Sequence, residues 1–323
     1  MTVTSEVIDA HAEVVVEDTT KLERPEWLAL RRLGIGGSDA AAALSLSPYD
    51  SRYALWVDKT MGVDDEDNES MFWGRQLEEA IGRGYAIKTG KVVERFPKLL
   101  RSRRWPHMQV NLDFINPAEL EVVEVKNTGA HMGDLWQDDD GRPVVPPHYA
   151  IQGLHELAVT GFERTTFPVL VGGNRMKMVT IERDDKVIED LAEAEAAFWK
   201  LVEENTPPAV DGSRATSETL AAIYGDPDPD SIIALDDYRT SDGESVPDLV
   251  KGYKDAAARV KAAKDDQDYY KNNLLAAMGD FEVAIIGGHP VVTFKKVDNG
   301  GYTSVVQPFS YRRINTKPKG AQK

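Results

Sequence analysis

The stretch that decides the fold is Leu120-Glu121-Val122-Val123-Glu124-Val125-Lys126, read together with Asp113 eleven residues before Glu124. β-Branched and charged residues alternate through it, as on a strand with one face in a core. Strand side chains point alternately up and down, so Glu124 and Lys126 share a face and Val125 faces the other way. The interval back to Asp113 leaves room for a turn and a second strand, which would fold Asp113 beside Glu124. Two converging carboxylates suit a hard ion such as Mg²⁺, or Mn²⁺ in its place, with waters and a substrate phosphate completing the shell. A lysine one strand step away would position or deprotonate an attacking water, or offset charge developing on phosphorus. Alone the pattern is weak, because Glu-x-Lys is common on ordinary exposed strands. Glu119 and Glu121 are the nearby substitutes for Asp113.

Outward from this strand the pattern is mixed. Upstream, Pro25–Leu33 begins a short helix, and Gly34-Ile35-Gly36-Gly37-Ser38-Asp39 is a glycine-rich turn whose Ser38 or Asp39 would cap a helix over 40–44. The spacing predicts helices over 53–61 and 72–89, the latter after an acidic loop over 62–70, and extended segments over 91–96 and 107–115. Downstream, 148–159 is helical, 165–171 and 175–181 form a hairpin across Gly172-Gly173-Asn174, and 185–205 is an amphipathic helix stopped by Pro207-Pro208. Beyond Gly212 the composition turns loop-like. A long helix over 247–278 then carries Leu249, Tyr253, Ala256, Val260, Ala263, Gln267, Tyr270, Leu274 and Ala277 at alternating intervals of four and three, a heptad-like seam that suits either self-association or packing on its own domain. A terminal hairpin is expected around Gly287-Gly288. The expected organisation is a flexible arm over 1–22, a core domain over 23–212, a linker over 213–245, and an appendage of helix, hairpin and basic tail over 246–323.

Composition bounds the function. With 323 residues and 41% hydrophobic content the chain can bury a sizeable core. It has no cysteine, which excludes disulfides, thiolate metal sites and a cysteine nucleophile. No apolar run approaches a membrane span and no secretory signal opens the chain, so a cytosolic protein is expected. The net charge of −16 does not exclude nucleic acid, because a binding groove needs only a local positive patch. Between Ile81 and Trp105, Arg83, Lys88, Lys91, Arg95, Lys98, Arg101, Arg103 and Arg104 face the single acid Glu94, and Arg312, Arg313, Lys317, Lys319 and Lys323 form a second basic segment. His131, His148 and His155 lack metalloprotease spacing, the glycine turn lacks the dinucleotide fingerprint, and there is no P-loop.

Taken in order, several short motifs resemble one family. Trp27-Leu28-Ala29-Leu30-Arg31, the glycine turn, Ser47-Pro48-Tyr49 and Leu55-Trp56 look like the opening block of the YqaJ-like viral recombinase and phage lambda-exonuclease family, within the PD-(D/E)xK nucleases. Trp73-Gly74-Arg75-Gln76-Leu77-Glu78 is similar to its acid-bearing helix, and Tyr149-Ala150-Ile151-Gln152 to the helix that follows its core. Phe198-Trp199 and Pro207–Gly212 resemble its closing segment. The resemblance spans roughly Trp27 to Gly212. It implies an α/β fold with a restriction-endonuclease-like core, a mixed central sheet flanked by helices, plus the C-terminal helix-and-hairpin appendage.

The resemblance also implies roles. Asp113, Glu124 and the Val125 carbonyl would hold Mg²⁺, Lys126 would serve the attacking water, Glu78 would approach the metal-bound water, and Gln152 would orient Lys126 or a phosphate oxygen. Arg31 and Ser38 would contact DNA phosphate, Arg31 by gripping a terminal 5′-phosphate, which a guanidinium fork suits. The implied activity is 5′–3′ digestion of duplex DNA ends to 5′-mononucleotides, leaving 3′ strands for a phage annealing protein of the RecT/Beta kind, in the cytoplasm of a bacterial host. A homotrimer encircling DNA is the implied assembly. One departure stands out: the family has Gly after its core aspartate, often with Pro before it, where this chain has Leu112-Asp113-Phe114. Two other readings stay open, a PD-(D/E)xK endonuclease or repair nuclease, and an inactive DNA-binding recombination scaffold.

Overall fold

In the computed structural model, which describes residues 3–63, 68–226, 228 and 231–296, the first unit runs in chain order α1 (Val3–His11), β1 (Ala12–Val16), α2 (Arg24–Arg31), α3 (Gly37–Ala43), α4 (Arg52–Met61) and α5 (Glu69–Thr89). Short strands follow: β2 (Glu94–Arg95), β3 (Leu99–Ser102), β4 (Gln109–Asn111), β5 (Phe114–Asn116), β6 (Glu121–Val123) and β7 (Lys126–Thr128). Then come α6 (Pro147–Thr160), the hairpin β8 (Arg164–Val171) and β9 (Arg175–Glu182), α7 (Asp185–Glu203) and α8 (Arg214–Tyr224). A second unit, Gly225–Lys323, holds α9 (Val246–Met278) and the hairpin β10 (Val283–Ile286) and β11 (His289–Thr293). The expected acidic loop at Asp64–Asp67, much of the 225–230 loop, the hairpin's end at Val297 and the basic segment from Arg312 to Lys323 lie outside the described residues.

The central sheet is mixed and flanked by helices, as expected. β5 pairs antiparallel with β6 (Phe114 opposite Val123), and β6 runs parallel to β8 (Val123 opposite Thr166). β7 continues along the same edge of β8 with Lys126 opposite Val169, and β9 pairs along the other edge. The expected strand over 120–126 is therefore two segments in one unbroken register, interrupted at Glu124-Val125. On one face Phe114, Val123 and Val125 pack under Ile81 and Tyr85 of α5. On the other, Val122 and Ile115 meet Leu157, Ala158, Ile188 and Ala192 of α6 and α7. Close approach of α5 and α6 to the sheet requires glycine at Gly82 and Gly153. A methyl on Gly82 would sit 2.5 Å from the Phe114 ring, and one on Gly153 would sit 2.7 Å from Ile181, so α5 and α6 lie tight against the sheet.

Two expectations are corrected. The first residues are not a free arm: α1 buries Thr4 and Ile8, and β1 joins a second sheet of order β1-β3-β4, with Glu13 opposite Arg101. The linker expected from 213 begins instead with α8, whose Leu220 and Ile223 pack with Tyr53, Leu55, Trp56 and Phe198, while Thr216 Oγ1 hydrogen-bonds Ser51 Oγ at 2.7 Å. The first unit thus extends to Tyr224.

Candidate active site

The break between β6 and β7 is where the acidic residues gather. Asp113 lies between β4 and β5, and antiparallel pairing of β5 with β6 carries it beside that break. Its Oδ2 accepts a hydrogen bond from the Val125 N–H at 2.9 Å. A glycine after Asp113 is not needed for this approach; Phe114 in its place packs under α5. Glu124 is buried, and its Oε1 accepts from Lys126 Nζ at 2.9 Å and from Gln152 Nε2 at 2.6 Å. Lys126 Nζ also donates to Gln152 Oε1 at 3.1 Å and lies 4.9 Å from the Tyr149 ring centroid. Glu124 and Lys126 do share a face, as strand alternation dictates.

Two helices supply the remaining groups. Pro146-Pro147 starts α6 and Gly161, in the left-handed region, ends it, which sets Gln152 on the turn facing the break. The Gln152 amide has one arrangement open to it. Its oxygen faces the Lys126 ammonium, and its NH₂ sits between Glu124 and Glu156 Oε1, the latter at 3.0 Å. From α5, Glu78 ion-pairs with Arg95, and burial together with the charge of Glu124 raises its pKa although Arg95 pulls the other way. Its neighbour Glu79 binds Arg95 and Arg83 in more exposed positions, so Glu78 is the acid of that pair whose charge reaches the site.

The arrangement of charges can be tested against a divalent cation. Glu124 Oε2 is buried and has no hydrogen-bond partner among the described residues, a deficit that costs about 1–3 kcal/mol for a buried polar atom. Burial, then the negative charges of Glu124 and Glu78, push the Asp113 pKa well above the carboxylate range. Burial and Glu124 do the same to Glu156. Such crowding of carboxylates is relieved by a cation, and oxygen donors are what Mg²⁺ and Mn²⁺ prefer. No cage of three or more His, Asp or Glu is preassembled among the described residues. Mg²⁺ does not require one, since it keeps several waters and uses one or two carboxylates.

A third group of residues faces the same opening. Arg31 ends α2, and Ser38 lies exposed in the first turn of α3, where it is not the cap. Gly36 is the cap, and its N–H donates to Asp39 Oδ2 at 3.1 Å. Arg31 Nη2 donates to Ser38 Oγ at 3.1 Å and to Asp39 Oδ1 at 2.7 Å. Beneath them the Lys59 side chain, without solvent exposure, donates to Asp39 Oδ2 at 2.7 Å and to the Arg31 carbonyl at 3.0 Å. Burial would raise the Asp39 pKa, but Lys59 and Arg31 hold it well below the usual range. Trp27, Arg31, Ser38, Glu124, Lys126 and Gln152 line one cleft of about 210 Å³, so residues far apart in sequence converge there. Asp39, Lys59 and Glu156 were not read from the sequence as site residues. The only signal for Lys59 is a lysine following the buried run Leu55-Trp56-Val57, and for Glu156 its position one helical turn after Gln152.

The basic run between Ile81 and Trp105 is not an open positive patch. Lys91 pairs with Glu119 and Glu121, Lys98 with Glu17, Arg101 with Glu13 and Arg104 with Glu189, while Arg95 and Arg83 hold Glu78 and Glu79. Apart from Glu79, one helical turn before Arg83, these partners come from distant segments and are invisible to a local count of charge.

A family model described as the YqaJ-like viral recombinase domain matches residues 26–163. The uncharacterized protein YqaJ of Bacillus subtilis (strain 168) is 34% identical over 229 residues, 69% of this chain and 70% of that protein. Among solved structures, the alkaline exonuclease LHK-Exo of Laribacter hongkongensis aligns with a TM-score of 0.46 and 22% identity, covering 56% of this chain and 94% of that one. A phage-related exonuclease from Haemophilus somnus 129PT aligns at 0.39 and 14%, over 55% and 99%.

Proposed function

Because this chain belongs to the YqaJ-like viral recombinase family, we propose that it is a Mg²⁺-dependent exonuclease that digests duplex DNA from its 5′ ends, releasing 5′-mononucleotides and leaving 3′ single strands for an annealing protein. The observation that carries this reading is the shared cleft, which Arg31 and Ser38 line together with Glu124, Lys126 and Gln152. The Arg31–Ser38 pair suits a terminal phosphate, and the Glu124–Lys126–Gln152 group suits a phosphodiester to be cleaved.

The division of labour follows from the contacts. Asp113 and Glu124, with the Val125 carbonyl, would hold the ion, which when bound supplies a Lewis acid for the phosphate and a more acidic water. Arg31 binds the terminal phosphate through its guanidinium fork, and Asp39 keeps that fork turned toward Ser38. Lys126 has three N–H donors. Two are given to Glu124 and Gln152, which leaves one to orient the attacking water or to stabilise charge on the phosphoryl oxygens. Gln152, locked by Glu156, fixes the reach of Lys126. The proposed setting is the cytoplasm of a bacterial host; no helix among the described residues is long and apolar enough to cross a membrane.

Linear duplex labelled at the 5′ or the 3′ end, incubated with Mg²⁺ or with EDTA beside a closed circle, tests the proposal. Early release of 5′-labelled mononucleotide, an intact circle and silence in EDTA are expected. Nicking of the circle, earlier release of the 3′ label, or hydrolysis unaffected by EDTA would overturn it.

A further inference from the structure

α9 is 33 residues long, and only Met278 in it is buried. Its seam is 4-3 spaced from Leu249 to Ala277, the 3.5-residue period of a left-handed coiled coil. That seam faces solvent: Val260 is 70% exposed, Tyr270 66% and Leu274 48%. A helix with an apolar stripe is stabilised chiefly by whatever covers the stripe. We propose that the seam of α9 is covered by the same helix of a second copy of this chain, running antiparallel.

Charge selects both the occupant and the direction. Lys251, Lys254, Arg259, Lys261 and Lys264 make the stretch 251–264 basic, with Asp255 the one acid within it and Asp248 in the first turn before it. Asp265, Asp266 and Asp268 follow, with Lys271 the one base before Asp280 and Glu282. Antiparallel pairing lays the basic stretch on the acidic one, and Arg259 then flanks the core opposite the partner's Asp266, twice by symmetry. The layers of that register set Leu249 on the partner's Leu274, Tyr253 on the partner's Tyr270, Val260 on the partner's Ala263 and Ala256 on the partner's Gln267. A parallel pair would instead bring Arg259 against the partner's Lys264 and stack Gln267 on its own counterpart. A groove of roughly 320 Å³ lies beside the C-terminal end of the seam, between Tyr270, Leu274 and Met278 of α9 and Val292 of β11 with Phe294 just after it. The antiparallel register delivers the partner's Leu249 to that groove. The contact is isologous and closes at two copies.

The absence of cysteine makes the direction directly measurable in the full chain. Under mild oxidation the variant L249C/L274C, and an equal mixture of L249C with L274C, are expected to form a disulfide-linked dimer, and neither single variant alone is. Linkage within L249C alone would mean parallel pairing, and no linkage in the double variant would mean no pairing; either overturns the proposal. Oligomers built by the first unit would add mass without changing which cysteines join. As an independent check, Arg259→Glu should raise the dimer dissociation constant about tenfold in sedimentation equilibrium, since two flanking pairs become repulsive. R259E/D266R should restore it to within about twofold. A double variant as weak as R259E would refute the register.

Discussion

Asp39→Ala removes the hydrogen-bonded counter-ion of a buried lysine and leaves it only the more distant carboxylate of Asp58, whose Oδ2 lies 3.8 Å from Lys59 Nζ. Lys59 Nζ has two acceptors, Asp39 Oδ2 at 2.7 Å and the Arg31 carbonyl at 3.0 Å, and its side chain is fully enclosed. Without the Asp39 carboxylate the ammonium keeps one neutral hydrogen-bond acceptor, the Arg31 carbonyl, with Asp58 at 3.8 Å. Breaking half of a buried pair costs about 3–5 kcal/mol. The Gly36 N–H loses its acceptor as well, worth about 0.5–1.5 kcal/mol. The Arg31 contact is discounted, because that side chain is about one-third exposed. Asp58 and solvent reaching the opened site offset part of the loss, so the expected destabilisation is about 2–4 kcal/mol. Lys59→Met leaves Asp39 bonded to Arg31 and Gly36 and should cost only about 1–2 kcal/mol. D39A/K59M should be more stable than D39A, since the stranded charge is gone. The assay is tryptophan fluorescence during guanidinium unfolding. Trp27, Trp56, Trp73, Trp105, Trp136 and Trp199 are all the tryptophans of the chain and all belong to the first unit, so the signal follows that unit alone. A D39A loss below about 1 kcal/mol, or a double variant less stable than D39A, would refute the claim that Lys59 depends on Asp39.

The other expectations are briefer. Lys126→Ala should lower hydrolysis of linear duplex about 10²–10⁴-fold while leaving DNA binding in EDTA unchanged; retained activity would remove Lys126 from the chemistry. Arg31→Ala should erase any advantage of 5′-phosphorylated over 5′-hydroxyl ends, read from initial rates on the two substrates. His155 presents both ring nitrogens to acceptors, Glu195 at 2.8 Å and the Gln109 carbonyl at 3.1 Å. Burial disfavours the cation, but Glu195 and that carbonyl prevail and raise the pKa. A folded value above the unfolded one, about 6.5, means the stabilisation is complete below about pH 6.5 and is lost as pH rises through the raised value. Unfolding midpoints from pH 6 to 9 should show that decline in the parent chain and not in H155Q/E195Q.

Part of the fold and of the site is legible in the sequence. The alternation in Leu120–Lys126 puts Glu124 and Lys126 on one face because strand geometry leaves no other choice, and the apolar stripe of α7 is strong enough to mark its length. The spacing to Asp113 sufficed because the two strands pair through a short turn. What escaped depends on contacts between distant segments. α1 and β1 read as a polar arm, since Thr4, Ile8 and Ala12 become core residues only when β1 meets β3. β3 lies inside a basic run, where Leu99 and Leu100 offer too short a pattern to register. The positive patch dissolved for the same reason, with Glu13, Glu17 and Glu189 arriving from elsewhere in the chain. The Asp39–Lys59 pair is a long-range fact of this sort too, which no local motif encodes.

The uninterrupted register on either side of the β6–β7 break has a bearing on how a sequence of this kind is free to drift. Val123 sits opposite Thr166 and Lys126 opposite Val169, so the two segments are counted off against β8 as though nothing came between them. Apolar exchanges at Val122 or Val123 alter packing and little else. Gaining or losing one residue between Val123 and Lys126 would turn a valine to the cleft and an acid or lysine into the layer beneath α5. Length variation must therefore be absorbed before the strand, near Leu120, whose φ of 48° already marks a tight turn. An alignment of relatives should show gaps gathering there and none across the four residues that follow Val122.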